Sequence, residues 1–230
     1  MKSFSAAGRV VPVEVVARAQ ARRLTLRADP VAGVVRISSP RGVAQRHADR
    51  LIAENSGWLT VSIAGWPLPL PLEAGAVLPF DGASLAVDWQ PVAGATARCG
   101  ARLIVGGRLA NVRNRVLRWL RAAALADLTA QTVPLAQSLG RTVTVGVRDP
   151  ASRWGSCTAG GAISYSWRLI MAPPSVRQSV VAHEVAHLVH HNHGTAFWTL
   201  ATQLTTGDLP TARAWLRANG AALHWVGRPA

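Results

Sequence analysis

The chain has 230 residues, of which 49% are apolar and 16% charged, and its mean hydropathy is +0.18. This composition excludes an intrinsically disordered chain, because disordered chains lack the apolar surface that offsets the conformational entropy lost on folding. Twenty-five basic and eleven acidic residues give a formal net charge of +14. This charge raises the local concentration of polyanions such as nucleic acid or anionic lipid, without identifying one of them.

Cysteine content and the N-terminal residues bear on the cellular compartment. Two cysteines, Cys99 and Cys157, are too few for a disulfide-scaffolded secreted fold or a four-cysteine zinc ribbon. Residues 1–20 lack the apolar segment of a signal peptide, and no window of about 18 residues is free of charged and polar groups. We therefore expect a soluble, cytoplasmic protein without a membrane span.

The first part of the chain is predicted to be rich in strands. Residues 10–38 are predicted to form strands, because Val11, Val13 and Val15 alternate with other residues, and Gly33–Ser38 is predicted to be the return strand of a hairpin. The spacing of apolar residues over 44–63 predicts a helix. Four prolines within 66–80 make that stretch the best candidate for a linker. Residues 83–105 alternate weakly around a loop.

The second part has clearer periodicity. An apolar stripe predicts a helix over 112–132 that resumes past Pro134 as far as Leu139. Valines at every second position predict a strand over 143–147, and Ile163, Tyr165 and Trp167 predict another.

A further helix is predicted to open after Pro173-Pro174. Ser175 with Gln178 three residues later forms a capping-box pattern at its start.

The chemistry is concentrated in His183-Glu184-Val185-Ala186-His187, inside this helix. Two histidines four residues apart lie on one helix face, so both imidazoles reach one ion. Glu184 is placed to accept a proton from a metal-bound water. The surrounding residues 180–189 are mostly apolar, so we expect the three polar side chains to be at least half-buried, which is costly unless they are bonded.

His193 is the predicted third ligand, because it follows His187 by six residues, which is the spacing of the third ligand in the metzincin pattern. His190 stands where that pattern has a turn glycine, so we expect Asn192 to make the bend in a left-handed conformation. His190 and His191 are rival ligands, although a continuing helix places them on other faces. The prediction is one Zn²⁺ per chain.

Further blocks precede and follow the histidines in a fixed order: Arg153-Trp154-Gly155-Ser156-Cys157, Ile163, Trp167-Arg168-Leu169, His183-Glu184-x-x-His187-Leu188 and Asn192-His193-x-x-x-Phe197-Trp198. This order resembles the YgjP-like metallopeptidase family, which is related to the SprT-like and WLM zinc proteases. More loosely, Arg22-Arg23, Pro40 and Trp58 resemble its N-terminal half. The resemblance implies a zincin-type enzyme with His183, His187 and His193 as zinc ligands and Glu184 as general base.

Ser166 departs from this resemblance, because an asparagine is expected there, and its role is left open. We interpret Cys157 as a small structural cysteine rather than a nucleophile or an additional ligand.

Pattern and resemblance together predict an α+β fold with a zincin-like catalytic domain, preceded by a β-rich N-terminal portion. We place the β-rich portion with one helix at residues 1–95 and the catalytic portion at 96–230. Together they are predicted to make one YgjP-like domain over about residues 20–225.

The predicted function is hydrolysis of peptide bonds. We expect residues 161–167 to run beside the catalytic helix as an edge strand to which a peptide or protein substrate adds by main-chain pairing. The candidate oxyanion or substrate contacts are Tyr165, Arg153, Trp154 and His190.

Two other functions are compatible with the sequence. One is a zinc hydrolase of nucleotide phosphoanhydrides, although the chain has no P-loop and no carboxylate cluster for magnesium. The other is a nucleic-acid-associated protein with structural zinc, in which the helix arginines Arg113, Arg115, Arg118 and Arg121 contact phosphates. A basic peptidase acting on proteins bound to DNA would combine the two ideas.

Overall fold

In the computed structural model, which describes residues 2–42 and 45–229, the chain forms two units, Met1–Leu68 and Pro69–Ala230. The boundary between them lies within the proline-rich stretch 66–80 that the sequence marks as a linker. The predicted division of the domains at residue 95 stays a prediction, although one sheet of the second unit has strands on both sides of that residue.

The first unit is a sheet with two helices. Its strands, in the spatial order β1-β2-β4-β3, are β1 Lys2–Ala6, β2 Arg9–Ala17, β3 Thr25–Asp29 and β4 Val34–Ser39. Strands β3 and β4 pair antiparallel, and in the turn between them the backbone N–H of Gly33 donates to the carbonyl of Asp29. The predicted hairpin is therefore confirmed. Gly33 has a φ of +74°, a left-handed conformation that glycine adopts without steric cost. Val35, Ile37, Leu59 and Ile63 are buried in this unit.

The predicted helix over 44–63 is two helices, α1 Gln45–Glu54 and α2 Ser56–Ala64. Its predicted first residue, Ala44, lies outside the described residues. Asn55 separates the helices with a φ of −111° and a ψ of 14°, and its side-chain amide donates to the carbonyl of Leu51. Asparagine favours such positions, because its side chain competes with the backbone for hydrogen bonds. The apolar spacing continues across this break, which is why periodicity alone predicts a single helix.

The second unit begins with a four-stranded sheet. Its strands, in the spatial order β5-β6-β8-β7, are β5 Val77–Phe80, β6 Ala83–Gln90, β7 Ala97–Cys99 and β8 Arg102–Gly106. Helix α3, Val112–Ser138, follows a short 3₁₀ helix over Leu109–Asn111. A residue at every fourth position of α3 is buried: Val112, Val116, Leu120, Ala124, Leu128, Thr132 and Ala136. The first five residues of this stripe pack into one core with residues such as Leu103, Ile163 and Val181.

Helix α3 passes through Pro134 without ending, which corrects the predicted interruption at residue 132. Proline removes one backbone donor and crowds the preceding turn. The buried stripe runs through Thr132 and Ala136 on either side of the proline, so packing outweighs the local preference to stop. Gly140 follows the helix with a φ of +66°, as expected of a glycine that ends a helix.

The site is built on a small sheet and three helices. The strands, in the spatial order β10-β11-β9, are β9 Thr144–Arg148, β10 Gly155–Cys157 and β11 Ala162–Ser166, and the helices are α4 Pro174–Ala186, α5 Thr195–Gln203 and α6 Leu209–Trp225. The strand predicted to be the edge strand, β11, is therefore central. It pairs antiparallel with β10 and parallel with β9, and β10 takes an edge position. The alternation of β11 is correct, but alternation does not reveal how many neighbours a strand has.

Two local details differ from the predictions around these elements. Helix α4 begins one residue earlier, at Pro174, and has no side-chain cap, so the capping box of Ser175 is wrong. Ser166 has a role that the sequence left open. Its hydroxyl accepts a hydrogen bond from the backbone N–H of Arg168 and caps the 3₁₀ helix Trp167–Met171.

Two buried arginines form hydrogen bonds between segments of this unit that are far apart in the sequence. Arg168 donates to both carboxylate oxygens of Asp149, at 2.8 and 3.2 Å, and to the carbonyls of Leu223 and Val226 at the end of α6. Arg177 on α4 donates to Asp127 of α3, to Asp81 and to the carbonyl of Ala172. Each guanidinium is almost fully buried and has acidic partners, which is the arrangement that makes a buried charge tolerable.

The α+β class is confirmed, with β-rich structure preceding the helical part of the chain. Among the described residues, no helix combines the length and the apolar character that crossing a bilayer requires.

Candidate metal centre

Helix α4 carries two of the predicted ligands near its C-terminal end. His183 lies one turn before His187, and their ring centroids are 5.0 Å apart. The helix ends at Ala186, so His187 is its C-cap residue and the chain turns away immediately afterwards. The four-residue spacing thus puts both rings on one face, as the sequence predicts.

The turn after α4 returns His193 to this face. Its Nε2 lies 3.1 Å from the Nε2 of His183, and one ring nitrogen from each of the three histidines lies within 4.8 Å of the others. The predicted left-handed Asn192 is wrong, because the non-glycine residues with positive φ in 2–42 and 45–229 are Ala7 and Asp81. The chain instead turns back between the end of α4 at Ala186 and the start of α5 at Thr195, which follows Gly194 in an extended conformation.

A backbone contact and an aromatic ring orient the three imidazoles. The Nδ1 of His187 lies 3.0 Å from the carbonyl oxygen of His190, which leaves its Nε2 for the centre of the triad. The fully buried ring of Phe197 on α5 lies 4.6 to 4.9 Å from all three histidine rings. The sequence did not predict this role for Phe197, because an apolar residue in an amphipathic helix looks the same whether it packs in the core or against metal ligands.

The three histidines fit a metal ion. Tetrahedral zinc with Zn–N bonds of about 2.0–2.1 Å holds neighbouring ligand nitrogens about 3.3 Å apart, close to the spacing between His183 and His193. Burial and the charges of the other two imidazoles and of Arg213 lower the pKa of His183 to about 4. Burial likewise lowers the pKa of His187. Both rings are therefore neutral near pH 7, as ligation requires.

Glu184 lies beside the triad and is only 5% exposed. Burial raises the pKa of its carboxyl group to about 7, although the charge of Arg153 partly opposes this. Its side chain packs directly on Gly155 of β10, where a Cβ atom would come within 2.5 Å of Oε1. The contact explains the glycine in the Arg153–Cys157 block, since any side chain there would collide with the carboxylate.

A cavity of about 500 Å³ opens next to these groups. Its lining brings the predicted contacts Arg153 and Trp154 together with His183, Glu184 and His193. The guanidinium of Arg153 is exposed, whereas the half-buried indole of Trp154 packs on α6 and lies 5.3 Å from the ring of His224. Both residues therefore line the cavity beside the histidines, and their role as substrate contacts stays a prediction.

Two other predicted contacts lie elsewhere. The hydroxyl of Tyr165 lies 3.0 Å from that of Thr132, and the residue is fully buried against α3, so it faces the core and not the cavity. Strand alternation places Tyr165 on the same face as the buried Ile163. The sequence predicts this shared face, but it does not indicate which face of the strand meets the site. The backbone carbonyl oxygen of His190 contacts the Nδ1 of His187. Among the described residues that line the cavity, His190 is absent.

Cys157 lies at the end of β10, half-buried against the core. Burial raises the pKa of its thiol, and the charge of Glu184 adds to this effect. A raised pKa disfavours the thiolate that a nucleophile or a ligand needs. This supports the interpretation of Cys157 as a structural residue.

Among the arginines on α3, Arg113 and Arg115 donate to the backbone carbonyls of Gly227 and Gly94, at 3.1 and 3.3 Å. These guanidinium groups therefore contact the protein itself. Binding of nucleic acid by this helix stays a prediction.

The model of the YgjP-like metallopeptidase domain matches residues 22–219. No curated protein and no solved structure gives a significant match.

Proposed function

The chain belongs to the YgjP-like metallopeptidase family, and from this premise we propose that it is a zinc-dependent peptidase. The observation that carries the proposal is the convergence of three histidine nitrogens beside a buried glutamate at the wall of a cavity. Cytoplasmic localisation remains part of the proposal and rests on the amino-acid sequence alone.

We assign His183, His187 and His193 as the ligands of one zinc ion. Three neutral imidazoles suit zinc better than magnesium or calcium, which prefer oxygen ligands. When bound, zinc acts as a Lewis acid that polarises a carbonyl group and makes a water molecule more acidic. The carbonyl of His190 keeps the ring of His187 in the orientation that this role needs.

Glu184 is the proposed general base. Its carboxylate takes a proton from the attacking water and afterwards delivers it to the leaving amine. A base works best when its pKa lies near the working pH, and burial brings the pKa of Glu184 to about 7. Gly155 packs against this carboxylate, and both residues line the cavity.

The substrate backbone has a place next to this base. Among the described residues, strand β10 pairs with β11 along one edge and has no strand on its other edge, and its first residue, Gly155, lines the cavity. A peptide in extended conformation would pair with the free edge of β10. Arg153 is the proposed partner of the developing oxyanion, because it lines the cavity together with Glu184 and its positive charge would stabilise an oxyanion there.

The test compares the zinc-loaded wild type with Glu184→Gln on casein and on a panel of nucleoside triphosphates. We expect one zinc per chain in both proteins, and hydrolysis of casein by the wild type only. Glu184→Gln keeps the shape of the side chain but removes the base, so activity should fall at least about 100-fold. Turnover of the nucleotides alone, lost in Glu184→Gln, would overturn the peptidase proposal in favour of a phosphoanhydride hydrolase.

A further inference from the structure

One face of helix α6 forms a wall of the cavity that the catalytic proposal does not use. Leu209, Ala212, Arg213 and Leu216 follow the spacing i, i+3, i+4 and i+7, so they lie on one side of the helix, and all four line the cavity. Three of them are apolar. The fourth, Arg213, brings a positive charge to an otherwise apolar wall.

Val180 and the indole of Trp154 extend this apolar surface beyond α6. The indole of Trp154 packs closely on Gly220 of α6, where a Cβ would come within 2.8 Å of its Cζ2. A cavity of about 500 Å³ lies in the range of small-ligand sites. It is large enough to accept an apolar side chain together with the adjoining backbone.

Arg213 is exposed at the cavity, unlike the buried arginines of the same unit, Arg168 and Arg177. Arg168 and Arg177 are neutralised by acidic side chains. In the ranges 2–42 and 45–229, Arg213 has no ion-pair partner, and its guanidinium lies over the ring of Trp198, 5.2 Å from the centroid. Stacking on an aromatic ring restricts the side chain without satisfying its charge or its donors. An oriented guanidinium with free donors is suited to bind a carboxylate.

We propose that this cavity selects peptides in which a large apolar residue stands next to a carboxylate, and that Arg213 binds that carboxylate. The inference rests on the proposed peptidase function and adds a substrate class to it. The carboxylate comes either from an Asp or Glu side chain or from the C-terminus of the substrate. Arg213 is thus a specificity-determining residue on α6, a helix separate from the one that carries the catalytic glutamate.

Two pairs of synthetic peptides distinguish the two sources of the carboxylate. The first pair has blocked ends and carries Leu-Glu or Leu-Gln at the same position. The second pair ends in leucine, either as the free acid or as the amide. With zinc-loaded wild type, we expect kcat/KM to be at least about tenfold higher for the charged member of one pair, as a charge-assisted contact provides.

Arg213→Gln should reduce the preference to less than about threefold, and Arg213→Lys should keep part of it. The matched control is Arg217→Gln, one turn further along α6 and outside the cavity lining, which should leave the preference unchanged. Circular dichroism of all variants reports on folding.

Equal cleavage of charged and neutral peptides by the wild type would overturn the inference and leave the peptidase proposal standing. Cleavage of no peptide and no protein would instead contradict the peptidase proposal. Calorimetric binding of the same four peptides to wild type and Arg213→Gln then decides the inference. Tighter binding of a charged peptide that is lost in Arg213→Gln supports it, and equal binding refutes it.

Discussion

Gly155 and Glu184 are in such close contact that a single methyl group on Gly155 would lie 2.5 Å from the carboxylate oxygen of Glu184. The glycine belongs to β10 and the glutamate to α4, so the contact joins the small sheet to the helix that carries two of the histidines. The position of the proposed base therefore depends on the absence of a side chain on the neighbouring strand.

Gly155→Ala should displace Glu184 and leave the metal site intact. We expect activity to fall at least about tenfold, because a general base contributes about 100-fold or more only when it is correctly placed. Zinc content should remain at one per chain. Gly146→Ala in β9 of the same sheet is the matched control, since a Cβ there meets nothing within 4 Å. Equal activity in the two variants would show that the contact does not position the base.

Removal of a proposed ligand should remove the metal. His187→Ala should retain little zinc by metal analysis, whereas His190→Ala should retain about one zinc per chain. The two positions differ because His190 acts through its backbone carbonyl, which alanine keeps. Chelation of the wild type should lower its melting temperature, since a ligand at about 100 times its Kd stabilises a protein by about 2.7 kcal/mol. Loss of zinc from His190→Ala would contradict the assignment.

Tyr165→Phe should leave hydrolysis within about twofold of the wild type. Its hydroxyl bonds to Thr132 inside the core, so its loss should lower the free energy of unfolding by about 1 kcal/mol instead. Urea denaturation and kcat/KM measured on the same preparation check both effects. A loss of activity of 100-fold or more with zinc retained would return Tyr165 to the list of oxyanion donors.

The ion pair between Asp149 and Arg168 should make the free energy of unfolding depend on pH. Burial raises the pKa of Asp149, but the hydrogen bonds and the charge of Arg168 outweigh this effect, so the pKa is lowered overall. A carboxyl group with a lowered pKa stabilises the fold above its unfolded pKa of about 3.9, and this contribution is lost as the pH falls through the folded pKa.

Asp149→Asn should therefore be less stable than the wild type by about 1 kcal/mol at pH 7, and the difference should shrink towards pH 3. Urea midpoints at several pH values measure it. Asp88→Asn, which loses an exposed pair with Arg102, is the control and should change stability by less than about 0.5 kcal/mol. A difference that grows on acidification would reverse the assigned sign.

The convergence of the three histidines was accessible from sequence because it depends on short-range geometry. His183 and His187 share a face whenever residues 183–187 are helical, and His193 needs only a turn within six residues to reach them. The class of the fold follows from periodicity in the same way, and the family resemblance is confirmed by the match over residues 22–219.

What only the tertiary structure decided involves residues far apart in the chain. Periodicity cannot tell that β11 is central, that Tyr165 faces α3, or that Arg213 approaches the triad from a different helix. Each of these depends on which strands pair and which helix faces meet. Such contacts join segments that are distant in the sequence, and the residues of one segment do not indicate which other segment it packs against. The three proposed ligands thus lie within one stretch of sequence, whereas the cavity that would select the substrate exists only where α4, α6 and β10 pack together.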